Sequence, residues 1–191
     1  MSKARMEAFS DGVIAIIITI MVLTLQAPHE VDLNALLPLA PVFLSYLLSF
    51  VFLGIYWNNH HHLLQVVKQV DGRVLWANLH LLFWLSLVPF VTSWMGANPL
   101  AAWPAALYGI VLFLAGVAFF ILVRVLIAIN GRDSVLATAI GGDFKGKVSP
   151  VIYLVAIALS FVSPWLAYAL YVLVSVMWLV PDRRIEKILA Q

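Results

Sequence analysis

The chain contains no cysteine in 191 residues, which excludes disulfides, thiolate nucleophiles and cysteine-ligated metal sites. Charge is also scarce: Asp, Glu, Lys and Arg make up 10% of the residues, against 64% hydrophobic ones, and the mean hydropathy is +1.03. That is too little polar surface to cover a water-soluble globule, so the chain needs lipid as its solvent. No polar stretch is long enough for a separate soluble domain, and there is no internal repeat or low-complexity tract. The net charge of +2 and the isoelectric point near 9.0 are not carried by a basic cluster interleaved with aromatics, which argues against nucleic acid as a partner.

What the sequence has instead is long apolar runs. The opening Met1-Ser2-Lys3-Ala4-Arg5 leads into one of them as a signal peptide would, but Asp11 interrupts the run and no small-x-small cleavage site precedes Pro28. It reads as a first transmembrane span, residues 6–25, stopped at Gln26-Ala27-Pro28. Further spans are expected at 39–67, 75–95 and 104–129, each longer than the ~20 residues that cross a bilayer. The last run, 148–180, is broken by Ser163-Pro164 and reads as two short helices joined by a tight turn. The expectation is an all-α membrane protein with six helices in one domain, 1–191.

Basic residues test the topology, since Lys and Arg are retained on the cytoplasmic side. Lys3 and Arg5 precede the first span, Lys68 and Arg73 separate the second from the third, and Arg183, Arg184 and Lys187 follow the sixth. Arg124, Arg132, Lys145 and Lys147 lie at or between the fourth and fifth. All 11 therefore fall on one side, Arg124 by snorkelling. The opposite loops carry only Glu30 and Asp32. Both termini are expected in the cytoplasm and the chain in the inner (plasma) membrane.

Few residues offer chemistry. Asp11 sits inside the first helix, where exposure to hydrocarbon is costly, so it should face protein or water. At 100° per residue it lies about 140° from Ile16, whereas Gly12, Ile16, Thr19, Ile20 and Leu23 share one stripe. One reading has Asp11 docking the helix through buried hydrogen bonds, with the stripe facing lipid or core. His60, His61 and His62 suggest metal, but helical neighbours point about 100° apart and cannot share one ion, with or without His80. Gly141-Gly142-Asp143-Phe144-Lys145-Gly146-Lys147 lacks the spacing of a phosphate-binding loop. No cofactor and no enzymatic set of Ser, His and Asp is expected. Trp57, Trp76, Trp94, Trp103, Trp165 and Trp178 fall near span ends, as interfacial anchors do, and Trp84 reads as packing.

Arg5-xxx-Phe9-Ser10-Asp11 at the head of an apolar first helix resembles the signature of the transmembrane protein 175 family of potassium channels. Tyr56-Trp57-Asn58-Asn59-His60-His61-His62 and the stretch from Leu75-Trp76-Ala77-Asn78 to Val88-Pro89-Phe90 strengthen the resemblance. Its specific motifs lie in the first ~95 residues, although the layout covers nearly the whole chain. The resemblance implies a potassium-selective channel of four six-helix subunits, the first helix lining the pore, with K+, membrane lipid and further copies of the chain as partners. Single-unit members are bacterial and resemble one half of the two-unit animal proteins. The family lacks the glycine-rich carbonyl filter, and no TVGYG-like segment occurs here. By the resemblance, Ile16 matches the pore constriction, Ile20 and Leu23 the next turns, and Thr19 a hydroxyl associated with selectivity. Arg5, Ser10 and Asp11 would anchor the first helix, with Trp57, Asn58, His60, His61 and Asn78 as partners. The rival expectation is a proton-permeable pathway or proton-coupled cation transporter that uses Asp11 and the histidines as a relay.

The placement of the basic residues carries a direct test. Single cysteines at Glu30 and Ala97 should react with an impermeant thiol reagent from outside intact cells, and one at Ser134 should not; the reverse pattern would refute the orientation.

Overall fold

The computed structural model describes residues 2–131, 134, 136–137 and 144–179, and among these there is no strand. Helix α1 (Lys3–Met21) continues into a 3-10 turn, Val22–Thr24, and a second 3-10 stretch, Leu33–Leu39, leads into α2 (Ala40–Gln65). Then come α3 (Gly72–Ser86), α4 (Val88–Ala97), α5 (Ala102–Asn130), α6 (Phe144–Leu159) and α7 (Pro164–Leu179). The expected loop residues Arg132, Gly141, Gly142 and Asp143, and the trailing Arg183, Arg184 and Lys187, lie outside the described residues.

Local chemistry sets the ends. Ser2 caps α1, its hydroxyl accepting from the Arg5 N–H, so the helix starts three residues earlier than the apolar run suggests. Asp71 caps α3 by accepting from the Arg73 and Val74 N–H groups. The Val74 N–H first, and then the Arg73 side chain, hold its carboxyl below the usual carboxylate range. Asn130, the last residue of α5, works both ways across the α2–α3 turn. Its Oδ1 accepts from the Lys68 and Gln69 N–H groups, and its Nδ2 donates to the Gln69 and Leu126 carbonyls.

Expectation and structure differ at the third span. Residues 75–95 were expected as one helix; the chain forms α3 and α4 with a break at Leu87. Pro89 is the cause: it has no N–H for the Leu85 carbonyl, and the chain tightens there, the Leu87 N–H donating to the Trp84 carbonyl at 3.2 Å. The two helices still form one apolar stretch of 26 residues, Gly72–Ala97, long enough to cross a membrane. The same is true of Lys3–Thr24, Leu33–Gln65 and Ala102–Asn130. Ser163 and Pro164 divide the last run as expected, into α6 and α7 of 16 residues each, about 24 Å long. Among the described residues, α1 to α7 thus make six spans.

Helix α5 is the hub. It packs on α3, α4, α6 and α7, while α2 lies against α4 and α7, and α1 against α2, α3 and α4. Small side chains on α5, among them Ala105, Ala115 and Ala118, are fully buried and let the neighbours approach closely. A directed chain of hydroxyls crosses the centre. Thr92 donates to the Val88 carbonyl, so Ser49 must donate to Thr92 (2.7 Å) and Tyr108 to Ser49 (3.0 Å), tying α5 and α2 to α4. Beside it Tyr171 of α7 donates to the Ala105 carbonyl at 3.0 Å.

Gly109 faces Tyr171 so closely that an added Cβ would collide with its hydroxyl and ring and with Ile157, whereas at Gly116 it would meet only the Tyr56 Oη, 3.7 Å away. Gly109→Ala should therefore lower stability in detergent by about 1–3 kcal/mol. Gly116→Ala should raise it by up to ~1 kcal/mol through helix propensity. Thermal unfolding of the two variants checks the pair.

Candidate functional site

The two faces of α1 meet different surroundings. Met6, Ser10, Ile14, Ile17 and Met21, spaced four, four, three and four residues apart, are all buried against α2, α3 and α4. On the other side Gly12 and Thr19 are exposed, and Ile16, Ile20 and Leu23 are 61%, 42% and 75% exposed. The stripe read from the sequence is the face that this chain leaves uncovered. Thr19 donates its hydroxyl proton to the Ile16 carbonyl at 2.9 Å, so its oxygen has only acceptor capacity left to offer outward.

What fixes the rotation of α1 is a buried polar chain through three helices. Ser10 donates to the Met6 carbonyl (2.8 Å), Asn78 Nδ2 donates to Ser10 Oγ (2.9 Å), and His60 Nε2 lies 2.8 Å from Asn78 Oδ1. An amide oxygen only accepts, so His60 is the donor and carries its proton on Nε2. Ser10, His60 and Asn78 are all at or below 2% exposure. The bare Nδ1 of His60 is buried and has no partner among the described residues. The chain ends on a helix carbonyl, so it restrains geometry and offers a proton no onward acceptor.

A second layer lies nearer the end of the bundle. Trp57 Nε1 donates to Asp11 Oδ1 at 3.0 Å, and His61 Nδ1 stands 3.3 Å from Glu7 Oε1. Lys3 Nζ reaches the Val67 carbonyl at 3.0 Å, just past the end of α2. Of the residues expected to anchor the first helix, Ser10, Asp11, Trp57, His60, His61 and Asn78 come together around α1. Arg5 and Asn58 do not. Arg5 is exposed, and its guanidinium makes no hydrogen bond or ion pair among the described residues. Asn58 lies 100° round α2 from Trp57 and faces a shallow groove beside Trp178 of α7. Glu7 and Lys3 were missed by the sequence reading. The signal for Glu7 was present: Glu7 and Asp11 are four apart on α1, as Trp57 and His61 are on α2, so two matched i, i+4 pairs face each other.

A family model described as the endosomal/lysosomal potassium channel TMEM175 matches residues 5–89, a range that contains α1 but for its first two residues, all of α2 and α3, and every residue of the polar chain. A potassium channel of Chryseobacterium sp. (strain P1-3) is 52% identical over 191 residues, the full length of both chains. The chain belongs to the TMEM175 family. A crystal structure of a TMEM175 homologue from Chamaesiphon minutus, described as a lysosomal potassium-selective channel, superposes with a TM-score of 0.82 at 28% identity, over 94% of this chain and 97% of that one. The endosomal/lysosomal proton channel TMEM175 of Danio rerio is 30% identical over 135 residues, 68% of this chain but only 25% of the fish protein. The family is one of ion channels, not of enzymes, and this TMEM175 member is accordingly a channel protein of the membrane.

The buried chain predicts unequal costs for two asparagines. Asn78→Ala strands the buried His60 N–H and should cost about 1–3 kcal/mol, read as a lower unfolding midpoint in detergent. Asn58→Ala, at the exposed groove, should stay within about 0.5 kcal/mol of the parent.

Proposed function

We propose that this TMEM175 member conducts potassium passively through a pore formed by four copies of the chain, in a bacterial plasma membrane with both termini in the cytoplasm, and that α1 lines that pore. The observation that carries the reading is the uncovered face of α1. Its inner face is packed, yet a continuous stripe of Ile16, Thr19, Ile20 and Leu23 is left exposed by the described residues. Four such stripes around an axis would bring four Ile16 side chains together as an apolar constriction that gates by dewetting, one turn from four hydroxyl oxygens of Thr19. Those oxygens keep only acceptor capacity, which suits a cation. The names of the 52% identical relative and of the Chamaesiphon minutus channel support potassium as the ion.

In the same reading Ser10, Asp11, Trp57, His60, His61 and Asn78 position α1 and do not touch the ion. Asp11 is held by Trp57 on a side away from the stripe. A relay through the histidines is not favoured, because the chain from His60 ends on the Met6 carbonyl.

The test is flux against the size and polarity of residue 16. In planar bilayers the parent should pass potassium down its gradient without a proton gradient and prefer it to sodium. Ile16→Asn should raise the current several-fold and weaken the preference. Ile17 is buried and unsuited as a control, so the comparison is Leu173→Asn on α7, half-exposed and away from α1. Equal effects at 16 and 173 would sink the constriction, and potassium movement locked to protons at a fixed ratio would replace the channel with a transporter.

A further inference from the structure

Two shallow grooves of similar size open on the surface of the bundle. One, of about 330 Å³, lies on α4 and is lined by Phe90, Ser93, Trp94 and Ala97. The other, of about 320 Å³, runs between α2 and the end of α7. Phe50, Val51, Ile55 and Leu179 give this second groove apolar walls. Gly54 keeps its middle open, since a Cβ added there would meet nothing within 4 Å. From Phe50 to Asn58 the groove follows α2 for about 12 Å.

Its other end is polar. Asn58 and Asn59 line it about 10 Å from the end of α2, where hydrocarbon gives way to the headgroup layer. Neither amide makes a hydrogen bond among the described residues. Trp178 lines the same end and is held from α6: its Nε1 donates to Ser149 Oγ at 2.8 Å, and Ser149 donates to the Lys145 carbonyl at 2.8 Å. The ammonium of Lys145 stands over the indole, 5.9 Å from its centre. The ring that lines the groove therefore braces a cation beside it, and no Asp or Glu lines the groove.

An apolar trough, two amides and a cation, in that order along the bundle, match one kind of molecule. Hydrocarbon alone would leave the amides unsatisfied. A phospholipid with an acyl chain laid past Gly54 brings ester and phosphate oxygens to the level of Asn58 and Asn59, each of which has two N–H groups to donate. The flexible stem of Lys145 lets its ammonium follow the phosphate. With no carboxylate in its lining, the groove has nothing to pair with the ammonium of a zwitterionic headgroup. The groove on α4 offers a single serine and, among the described residues, no cation over its tryptophan.

We propose that the groove between α2 and α7 is a binding site for an anionic phospholipid, drawn from the leaflet at the end of the bundle where α1 begins and α7 ends. In the topology proposed above that is the cytoplasmic leaflet, but binding depends neither on that topology nor on the pore. A lipid seated there touches both α2 and α7 and so ties the last helix to the bundle.

Native mass measurement on delipidated protein in mild detergent, with phosphatidylglycerol or phosphatidylethanolamine added back, tests the site. The parent should take up phosphatidylglycerol in preference, and its unfolding midpoint should rise as it does. Lys145→Gln should weaken that uptake about three- to tenfold, the worth of one cation beside an anionic headgroup, and level the preference. Gly54→Leu puts a side chain into the open middle of the groove, so it should remove the uptake and the rise in midpoint while the delipidated protein stays folded. Asn58→Ala should weaken the uptake of both lipids. Arg124→Gln, which removes a cation held over Phe120 on α5, should change neither. Equal uptake of the two lipids by the parent, uptake indifferent to Gly54→Leu and Lys145→Gln, or an equal loss in Arg124→Gln overturns the proposal. So does a Gly54→Leu variant whose assembly falls in mass while its lipid uptake persists, because a second copy of the chain would then fill the groove. Potassium flux enters none of these measurements, so the site stands or falls apart from the pore.

Discussion

In hydrocarbon a polar side chain has no solvent to return to, so each one inside a membrane helix must find its partner in the protein. Everything distinctive about this chain follows from where its few such groups are placed. Ser10 would be a tolerable oddity if it only bonded back to its own helix at Met6. Because it also accepts from Asn78, which accepts from His60, one rotation of α1 satisfies three buried side chains and any other strands them. The apolar faces of α1 are not different enough to choose that rotation themselves, since Ile14 and Ile17 point inward and Ile16 and Ile20 outward. Hydrogen bonding selects which isoleucines are covered.

That division of labour explains what could be read in advance. Spans and turns were legible because they rest on long apolar runs, prolines and basic residues, all local features. The outward stripe was legible because helical geometry fixes which residues share a face once one of them is excluded from it. Asp11 supplied the exclusion, being an acid that must point at protein.

What escaped were relations between helices. Pro89 was visible, but whether it kinks a span or ends it depends on how the chain turns before it, and here the Leu87 N–H closes a tighter turn on the Trp84 carbonyl. Asn58 and His60 are both polar residues near the end of α2, yet they lie about 200° apart, and only the neighbours decide which is in the network. Asn58 met a groove and His60 met Asn78. Arg5 carries the family resemblance, but its guanidinium has no partner among the described residues. Asn130, which holds the α2–α3 turn with both ends of its amide, has no local signature, because its partners are backbone groups some sixty residues away.

The directional bonds on α1 are also unevenly spread along it. Among the described residues, Lys3, Glu7, Ser10 and Asp11 make the polar side-chain contacts from α1 to the rest of the bundle, within its first three turns. From Gly12 onward the hydroxyls of Thr19, on α1, and Thr24, in the 3-10 turn after it, bond back to the preceding turn, and Ile14, Ile17 and Met21 meet α2 to α4 through apolar packing. Apolar packing is non-directional and tolerates a small rotation or slide, whereas a hydrogen bond at 2.8 Å does not. Ile16, Ile20 and Leu23 therefore ride on the half of the helix that is free to shift, while the other half is pinned. In a pore built from four such helices, an apolar constriction whose width changes steeply with small displacements would sit where displacement is cheapest, and its rest position would be set from the clamped end.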